Sequence, residues 1–136
     1  QPTALPLYNK DRELHIPKAL SCMAPDGAIV STLEDTITFL KGYFSGRLFP
    51  AEHLARMQRW NPMFFPMEYG YGLWRYHLPK WMSPFTQPPE LIGHAGSTGA
   101  FAFYEPSKDL YLVGTFNQID NPARPFRFMP RVISTL

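Results

Sequence analysis

His94 stands among small residues in the stretch Gly93–Gly99 (GHAGSTG), and the apolar run Phe101–Tyr104 follows almost at once. An imidazole donates or accepts a proton near neutral pH, so this residue type suits acid–base chemistry. Glycine has no Cβ, so the flanking positions let a ligand approach the backbone closely. The residue types and their order therefore fit the edge of a site. They fit equally well a glycine-rich turn that carries an exposed histidine, and the heptapeptide alone leaves both interpretations open.

Two other kinds of site are not supported by the spacing. Gly93, Gly96 and Gly99 form G-x-x-G-x-x-G rather than G-x-G-x-x-G, and a strand rather than a helix is predicted to follow. This argues against a dinucleotide or phosphate loop. The histidines are dispersed and the chain has no H-E-x-x-H or C-x-x-C, so we expect no metal site and no cofactor. We expect His15 and His53 to be solvated surface residues.

Length and composition bound the class of protein. The chain of 136 residues suits a single domain, and its net charge of +2 gives no electrostatic case for nucleic acid or a membrane surface as partner. No apolar run approaches the ~20 residues that cross a bilayer. The single cysteine, Cys22, forms no intrachain disulfide, so cysteine usage does not indicate the redox compartment of the protein. Fifteen prolines predict long ordered loops, and the 3 Trp, 7 Tyr and 11 Phe must be buried or line a cleft or interface.

We predict that residues 1–136 form one partial domain with three parts, which together must position His94. Residues 1–28 hold four prolines and no clear period, so we expect an irregular arm that lies against something. Residues 29–60 are predicted to be helical, and residues 69–136 to form a sheet plus a terminal helix. Because the chain begins without an initiator Met or a signal peptide, we expect it to start inside a longer open reading frame.

The first helix has the clearest signal. Ser31 is the expected N-cap, and Glu34 completes an S-x-x-E capping box. One apolar face is predicted to consist of Leu33, Ile37, Leu40 and Phe44. Ser45 and Gly46 are expected to end this helix, and Pro50 to occupy the first position of a shorter second one.

The sheet is predicted from three segments. Residues 69–76 read as one aromatic-rich strand, and strands 101–105 and 110–117 form a hairpin around a turn at 106–109. The proline-rich loop 79–90 fits either an ordered lid or a plain surface excursion. The terminal helix is expected at residues 126–136, with a buried face made of Phe128, Val132 and Leu136.

The order of these segments resembles the C-terminal part of the serine β-lactamase and D,D-peptidase-like hydrolases, in the class C and esterase branch, over roughly residues 24–136. The segments GAIVSTLED, LFPAE, YGYGL, GHAGSTGAF and TFN follow one another before the terminal helix. The sharpest motif is His94-Ala95-Gly96, similar to the H-x-G that replaces K-T-G in this branch. The resemblance implies an α+β fold, an antiparallel sheet flanked by helices, which is the C-terminal part of a β-lactamase/transpeptidase-like fold.

The resemblance also implies roles for three residues. His94 would lie on the strand edging the active site, bind the carboxylate or carbonyl side of a small-molecule or peptide substrate, and assist proton transfer. The backbone N–H of Ser97 would be one donor of the oxyanion hole. Gly96 would let the acyl group pass close to the strand. The implied reaction is acyl transfer to water from an amide, ester or lactam, as in penicillin-binding-protein-like hydrolases.

The sequence departs from the family pattern in one respect. It contains neither the S-x-x-K motif of the nucleophile nor Y-x-N, both of which lie N-terminal to this region in the family. We therefore expect the chain to be inactive alone and to need the N-terminal remainder of the same enzyme as its partner. An exposed sheet edge and apolar helix faces would otherwise favour self-association.

Two alternatives remain at this point. The chain could be a non-catalytic aromatic-rich module that binds peptide or sugar by stacking on Trp74, Tyr76 and Trp81. It could also be a regulatory relative that has lost its nucleophile.

Overall fold

A six-stranded antiparallel sheet organises the protein. The computed structural model describes residues 5–22, 27, 29–82 and 88–136. The strands are β1 (Leu7–Asn9), β2 (Arg12–Leu14), β3 (Asn61–Phe64), β4 (Met67–Tyr69), β5 (Trp74–His77), β6 (Glu90–Ala95), β7 (Phe101–Glu105) and β8 (Leu110–Gly114). The helices are α1 (Pro17–Cys22), α2 (Leu33–Phe44), α3 (Ala51–Met57) and α4 (Arg124–Ser134), with a 3₁₀ turn at Lys80–Met82. Strands β3 to β8 pair in chain order, each antiparallel to the next.

Helices flank this sheet, as the α+β prediction requires. On one face, Met129 and Ile133 of α4 pack with the buried residues Leu91, Ala95, Phe101 and Phe103 of β6 and β7. On the other face, Phe44 of α2 contacts Tyr104 with ring centroids 4.8 Å apart. Because successive side chains of a strand point to opposite faces, Phe103 and Tyr104 reach different helices. The predicted fold class is confirmed.

The N-terminal segment is more regular than predicted. Residues 7–14 form the hairpin β1–β2, whose two-residue turn places Lys10 at φ 56°, and α1 follows. The Gln118 side chain binds both backbone groups of Lys10, since its Oε1 accepts from the Lys10 N–H and its Nε2 donates to the Lys10 carbonyl. Tyr8 exchanges backbone hydrogen bonds with Asn117 and Ile119. Within residues 5–22 the prediction of an irregular arm was therefore wrong, because a left-handed Lys10 turn carries no sequence signature. The expected packing of this segment against another part of the chain is present, at residues 117–119. The rest of the prediction, for residues 1–4, 23–26 and 28, lies outside the described residues.

Helix α2 starts one residue later than predicted. Thr32, not Ser31, is the N-cap, and its Oγ1 accepts a hydrogen bond from the Asp35 N–H at 3.1 Å. The T-x-x-D pattern at Thr32 is offset from the S-x-x-E box by one residue, so the pattern alone does not separate the two caps. On the predicted apolar face Leu40 is buried, Ile37 and Phe44 are half-buried, and Leu33 is 53% exposed. The predicted end is confirmed, with Ser45 as C-cap and Gly46 at φ 76°.

The sheet begins earlier than predicted, at residue 61, and residues 69–76 are not one strand. They contain the end of β4, a turn and β5, because Gly72 adopts φ 72° and the Gly70 N–H donates to the Leu73 carbonyl at 2.9 Å. The Tyr71 N–H donates to the carbonyl of Met57 at the end of α3, which fixes the turn against that helix. Gly70 and Gly72 thus mark a turn between two strands. Pro50 precedes α3 as its N-cap instead of its first residue.

The C-terminal hairpin was predicted correctly, but its second strand and the last helix differ in detail. Strand β8 ends at Gly114 rather than at residue 117, because Asn117 adopts φ 52° and its N–H donates to Thr115 Oγ1. The buried face of α4 consists of Pro125, Met129 and Ile133. The predicted face was wrong, since Phe128 is 45% and Leu136 is 74% exposed. Pro125 in the first turn starts the helix earlier and shifts the buried stripe by one residue.

The proline-rich loop is described only in part. Trp81 lies in the 3₁₀ turn with 77% of its surface exposed, whereas Phe85 lies outside the described residues. Among the described residues, no helix combines the length and apolar character that crossing a membrane requires.

Replacing Thr32 by Ala should destabilise the protein by about 1 kcal/mol, because the Asp35 N–H then loses its capping acceptor. The free energy of unfolding in urea measures this loss. Ser31→Ala is the matched control and should cost less than about 0.5 kcal/mol, since Ser31 is exposed and only meets the Thr36 hydroxyl and its neighbour's carbonyl. A larger loss for Ser31→Ala would show that the cap has been misassigned.

Candidate active site

His94 lies within a paired strand. It is the fifth residue of β6, opposite Ala102 of β7, and it is exposed while its neighbours Gly93 and Ala95 are buried. The sequence left open whether the heptapeptide forms the edge of a site or a glycine-rich turn that carries His94. In the structure the turn is confined to the residues after Gly96, and His94 lies in the sheet. A side chain carried by an interior strand has a fixed origin and direction, which suits a group that must meet a reacting atom.

Two aromatic rings lie beside the His94 imidazole. The Trp74 ring lies 4.8 Å from it, centroid to centroid, at an angle of 39°. The Tyr69 ring stands edge-on to it at 6.2 Å and 82°. Both residues come from the ends of neighbouring strands, where Tyr69 of β4 pairs with Trp74 of β5. Sequence reasoning placed these two residues in a single strand and so missed their position beside His94.

A hydrogen bond assigns the tautomer of His94. Nδ1 lies 3.0 Å from the carbonyl oxygen of Ala95. A carbonyl oxygen only accepts hydrogen bonds, so Nδ1 must carry the proton in this arrangement. In the neutral imidazole, Nε2 is then left with a free lone pair. The ring therefore presents a proton acceptor as its outer nitrogen.

Residues 96–100 join β6 to β7, and the hydrogen bond between Gly96 and Ala100 encloses a three-residue loop, 97–99. The Gly96 N–H donates to the Ala100 carbonyl at 2.8 Å, and the Gly99 N–H donates to the Gly96 carbonyl at 3.0 Å. Gly99 has φ 79°, whereas Ser97 and Thr98 are not among the described residues with positive φ. This is a type I turn followed by a left-handed glycine, a standard connection of three-residue hairpins. The S-T-G sequence thus has the residue types that this loop needs.

The loop leaves the backbone N–H of Ser97 free. Ser97 is exposed, and its N–H donates to no acceptor within the described part of the chain. The loop itself is fixed, because the carbonyls of Thr98 and Gly99 accept from the N–H groups of Gln118 and Phe116 at 2.9 and 3.2 Å. An unpaired, well-held N–H is suited to binding an anionic oxygen. His94 thus lies near the C-terminal end of β6, and Gly96 and Ser97 lie in the loop directly after this strand.

The absence of a side chain at Gly93 allows β6 and β7 to pack closely beside the candidate site. A Cβ at position 93 would overlap the Ala102 carbonyl oxygen and lie 2.7 Å from Phe103 Cα, so only glycine fits between β6 and β7. Gly93 pairs with Trp74 on one side and Phe103 on the other. Phe126 of α4 contacts both of these rings, with centroids 5.7 Å from each. The missing side chain therefore coincides with the place where α4 packs on the sheet.

The residues proposed as a stacking surface do different things in the structure. Trp74 and Tyr76 are half-buried and both stack on Phe126. Burial also raises the pKa of the Tyr76 hydroxyl above its usual value, so this phenol is neutral at physiological pH. Trp81 alone of the three is largely exposed.

Other features lie away from His94. Two clefts, of about 220 and 290 Å³, are lined by residues around His77 at the far end of β5, and neither lining includes His94. Within the described ranges, no group of three or more His, Cys, Asp or Glu side chains is arranged to hold a metal ion. The candidate site at His94 and Ser97 is therefore separate from both clefts.

Comparison with protein families gives an independent result. The Beta-lactamase family model matches residues 1–132 of the chain. The match includes the N-terminal segment, which lies outside the range over which the resemblance was recognised.

In ¹⁵N-labelled protein at a pH where His94 is neutral, the Nδ1 resonance should be of the protonated type and the Nε2 resonance of the unprotonated type. The physical reason is the hydrogen bond from Nδ1 to the Ala95 carbonyl. Two-bond ¹H–¹⁵N correlation spectra of the imidazole measure this directly. His53, which is exposed on α3, serves as an internal reference. Protonation of His94 mainly at Nε2 would contradict the assignment.

Proposed function

The chain belongs to the Beta-lactamase family, and on that premise we propose that it forms one wall of a serine hydrolase active site. The reaction is acyl transfer to water from an amide, ester or lactam. The H-x-G triplet at His94 to Gly96 supports placing the enzyme in the class C and esterase branch. The substrate is a small molecule or a peptide with such a bond.

One observation supports this proposal most strongly. The free N–H of Ser97 lies three residues after His94, in a loop that hydrogen bonds hold on both sides. During acyl transfer, negative charge develops on the carbonyl oxygen, and a fixed N–H stabilises that charge without reorganising. Gly96 lies between the two groups and offers no side chain that would obstruct an acyl group.

His94 handles a proton in the proposed mechanism. Its Nε2 is available to accept or return a proton at the reacting centre, while Nδ1 is held by the Ala95 carbonyl. Trp74 and Tyr69 shield two sides of the ring, and the exposed side is open to a substrate.

The attacking serine comes from outside these residues in the proposal. The sequence has no S-x-x-K and no Y-x-N, so the 136 residues supply the wall and another segment of the same enzyme supplies the nucleophile. Exposed apolar side chains on and beside α2 offer a surface for that segment, with self-association as the alternative when it is missing. They are Ile29, Val30, Leu33, Phe39 and Leu48.

A serine-directed fluorophosphonate should label the assembly of this chain with its N-terminal partner segment, at a serine of that segment. The chain alone should stay unlabelled, because it lacks the S-x-x-K motif that supplies the nucleophilic serine and its activating lysine. Mass spectrometry of the labelled peptide identifies the site. Labelling of one of this chain's own serines would contradict the proposal.

His94→Ala in the assembled enzyme should lower turnover by about 10²-fold or more, as expected for loss of a proton-transfer group. His53→Ala, a substitution on the exposed side of α3, should leave turnover unchanged. Unchanged turnover of His94→Ala would remove this residue from the site. If, in addition, oligosaccharide or peptide shifted the tryptophan fluorescence of an unlabelled assembly, the binding module with exposed Trp81 would be favoured.

The role of the Ser97 backbone is tested by a pair of substitutions. Ser97→Ala keeps the N–H and should retain turnover, whereas Ser97→Pro removes it and should lower kcat by about 10²-fold or more. Proline is favoured at the second position of a type I turn, so the loop should tolerate this change. Circular dichroism and thermal unfolding check the fold. Loss of turnover in Ser97→Ala would indicate that the hydroxyl, not the N–H, carries the function.

A further inference from the structure

Trp74 is packed between the candidate site and the core. One side of its ring faces His94 at 4.8 Å, and the ring stacks on Phe126 at 5.7 Å with an angle of 24° between the planes. In the ladder it pairs with Tyr69 on β4 and with Gly93 on β6. Because Gly93 carries no side chain, the Trp74 ring and Phe126 meet across that position.

Phe126 is itself firmly held. Its ring meets the fully buried Phe103 edge-on at 5.7 Å and stacks on Tyr76 at 6.2 Å. An offset or edge-to-face aromatic pair contributes about 0.5–1.5 kcal/mol beyond the buried area, so this cluster resists rotation of the Trp74 ring. The plane against which His94 lies is therefore set by the core and by α4.

His94 has few other restraints. Its Nδ1 bond is to the carbonyl of the next residue in the chain, and Tyr69 touches it only edge-on. A bond to an adjacent residue restricts an exposed side chain less than a packed surface does, because rotation about χ1 breaks only that bond. Of the two described aromatic neighbours of the His94 ring, Trp74 is the closer, with centroids 4.8 Å apart against 6.2 Å for Tyr69.

We propose that Trp74 is a positioning residue for His94, which holds the imidazole in the rotamer where Nδ1 donates to the Ala95 carbonyl and Nε2 stays free. Its effect on the ring follows from the packing alone. Its effect on turnover rests on the proposed function of His94. Trp74 touches no reacting atom in this proposal and acts only through the histidine.

The test uses Trp74→Leu with two comparison variants. Trp74→Leu removes the aromatic face that packs on the His94 ring. The imidazole should then leave the rotamer in which Nδ1 donates to the Ala95 carbonyl, and the ¹H–¹⁵N imidazole spectra should show an average of two tautomers instead of one. Trp74→Phe keeps an aromatic face and should largely restore the single tautomer. Tyr76→Leu removes the other ring that stacks on Phe126 at the sheet and should leave the His94 spectrum unchanged, which controls for lost packing.

In the assembled enzyme, Trp74→Leu should lower kcat about 10- to 100-fold with little change in KM, since a misplaced group costs rate rather than binding. A single unchanged tautomer in folded Trp74→Leu would overturn the proposal. If Trp74→Leu does not fold, nuclear Overhauser contacts between the His94 and Trp74 ring protons of the unaltered chain replace it, and their absence would overturn the proposal. A tautomer change with unchanged turnover would support the role of Trp74 but refute the catalytic role of His94.

Discussion

The close approach of β6 and β7 at Gly93 is the constraint on which the site depends. A Cβ at this position would overlap the backbone of β7, so glycine allows the two strands to lie this close. Phe126 meets the rings on either side of it, and the next residue along β6 is His94. One absent side chain thus joins the packing of the core to the placement of the imidazole. The glycine before the H-x-G triplet has a structural purpose distinct from that of the glycine inside it.

The sequence was sufficient for the elements with strong local signals. Helix α2 and the hairpin of β7 and β8 follow from periodicity, caps and turn residues, which act over a few positions. The α+β class was implied by the resemblance. Strand β6 was not among the strands predicted from local patterns, and only the resemblance carried by the H-x-G triplet placed His94 on a strand. The family relationship followed from the order of such segments, and the match over residues 1–132 agrees with it.

The errors have a common physical origin. The hairpin β1–β2, the break at Gly72 and the true face of α4 depend on φ values and partners that lie far away in the chain. Gln118, for example, binds Lys10 across 108 positions, which no local pattern contains. The contact of Trp74 with His94 has the same character, since it requires a turn to bring β4 and β5 beside β6. His94 was singled out from the sequence as the candidate catalytic residue, but its immediate surroundings were not.

The attachment of the N-terminal hairpin has a consequence for the loop that carries Ser97. Gln118 donates its backbone N–H to Thr98 and uses its side chain to bind Lys10, so one residue ties the two regions together. Any movement of the first strands away from residues 117–119 would be transmitted to the N–H that faces the substrate in the proposed mechanism. The hairpin β1–β2 and the loop that carries Ser97 are thus coupled through the hydrogen bonds of a single residue. A protease cut between the hairpin and the rest of the fold would therefore act at a distance, by loosening a group that it never touches.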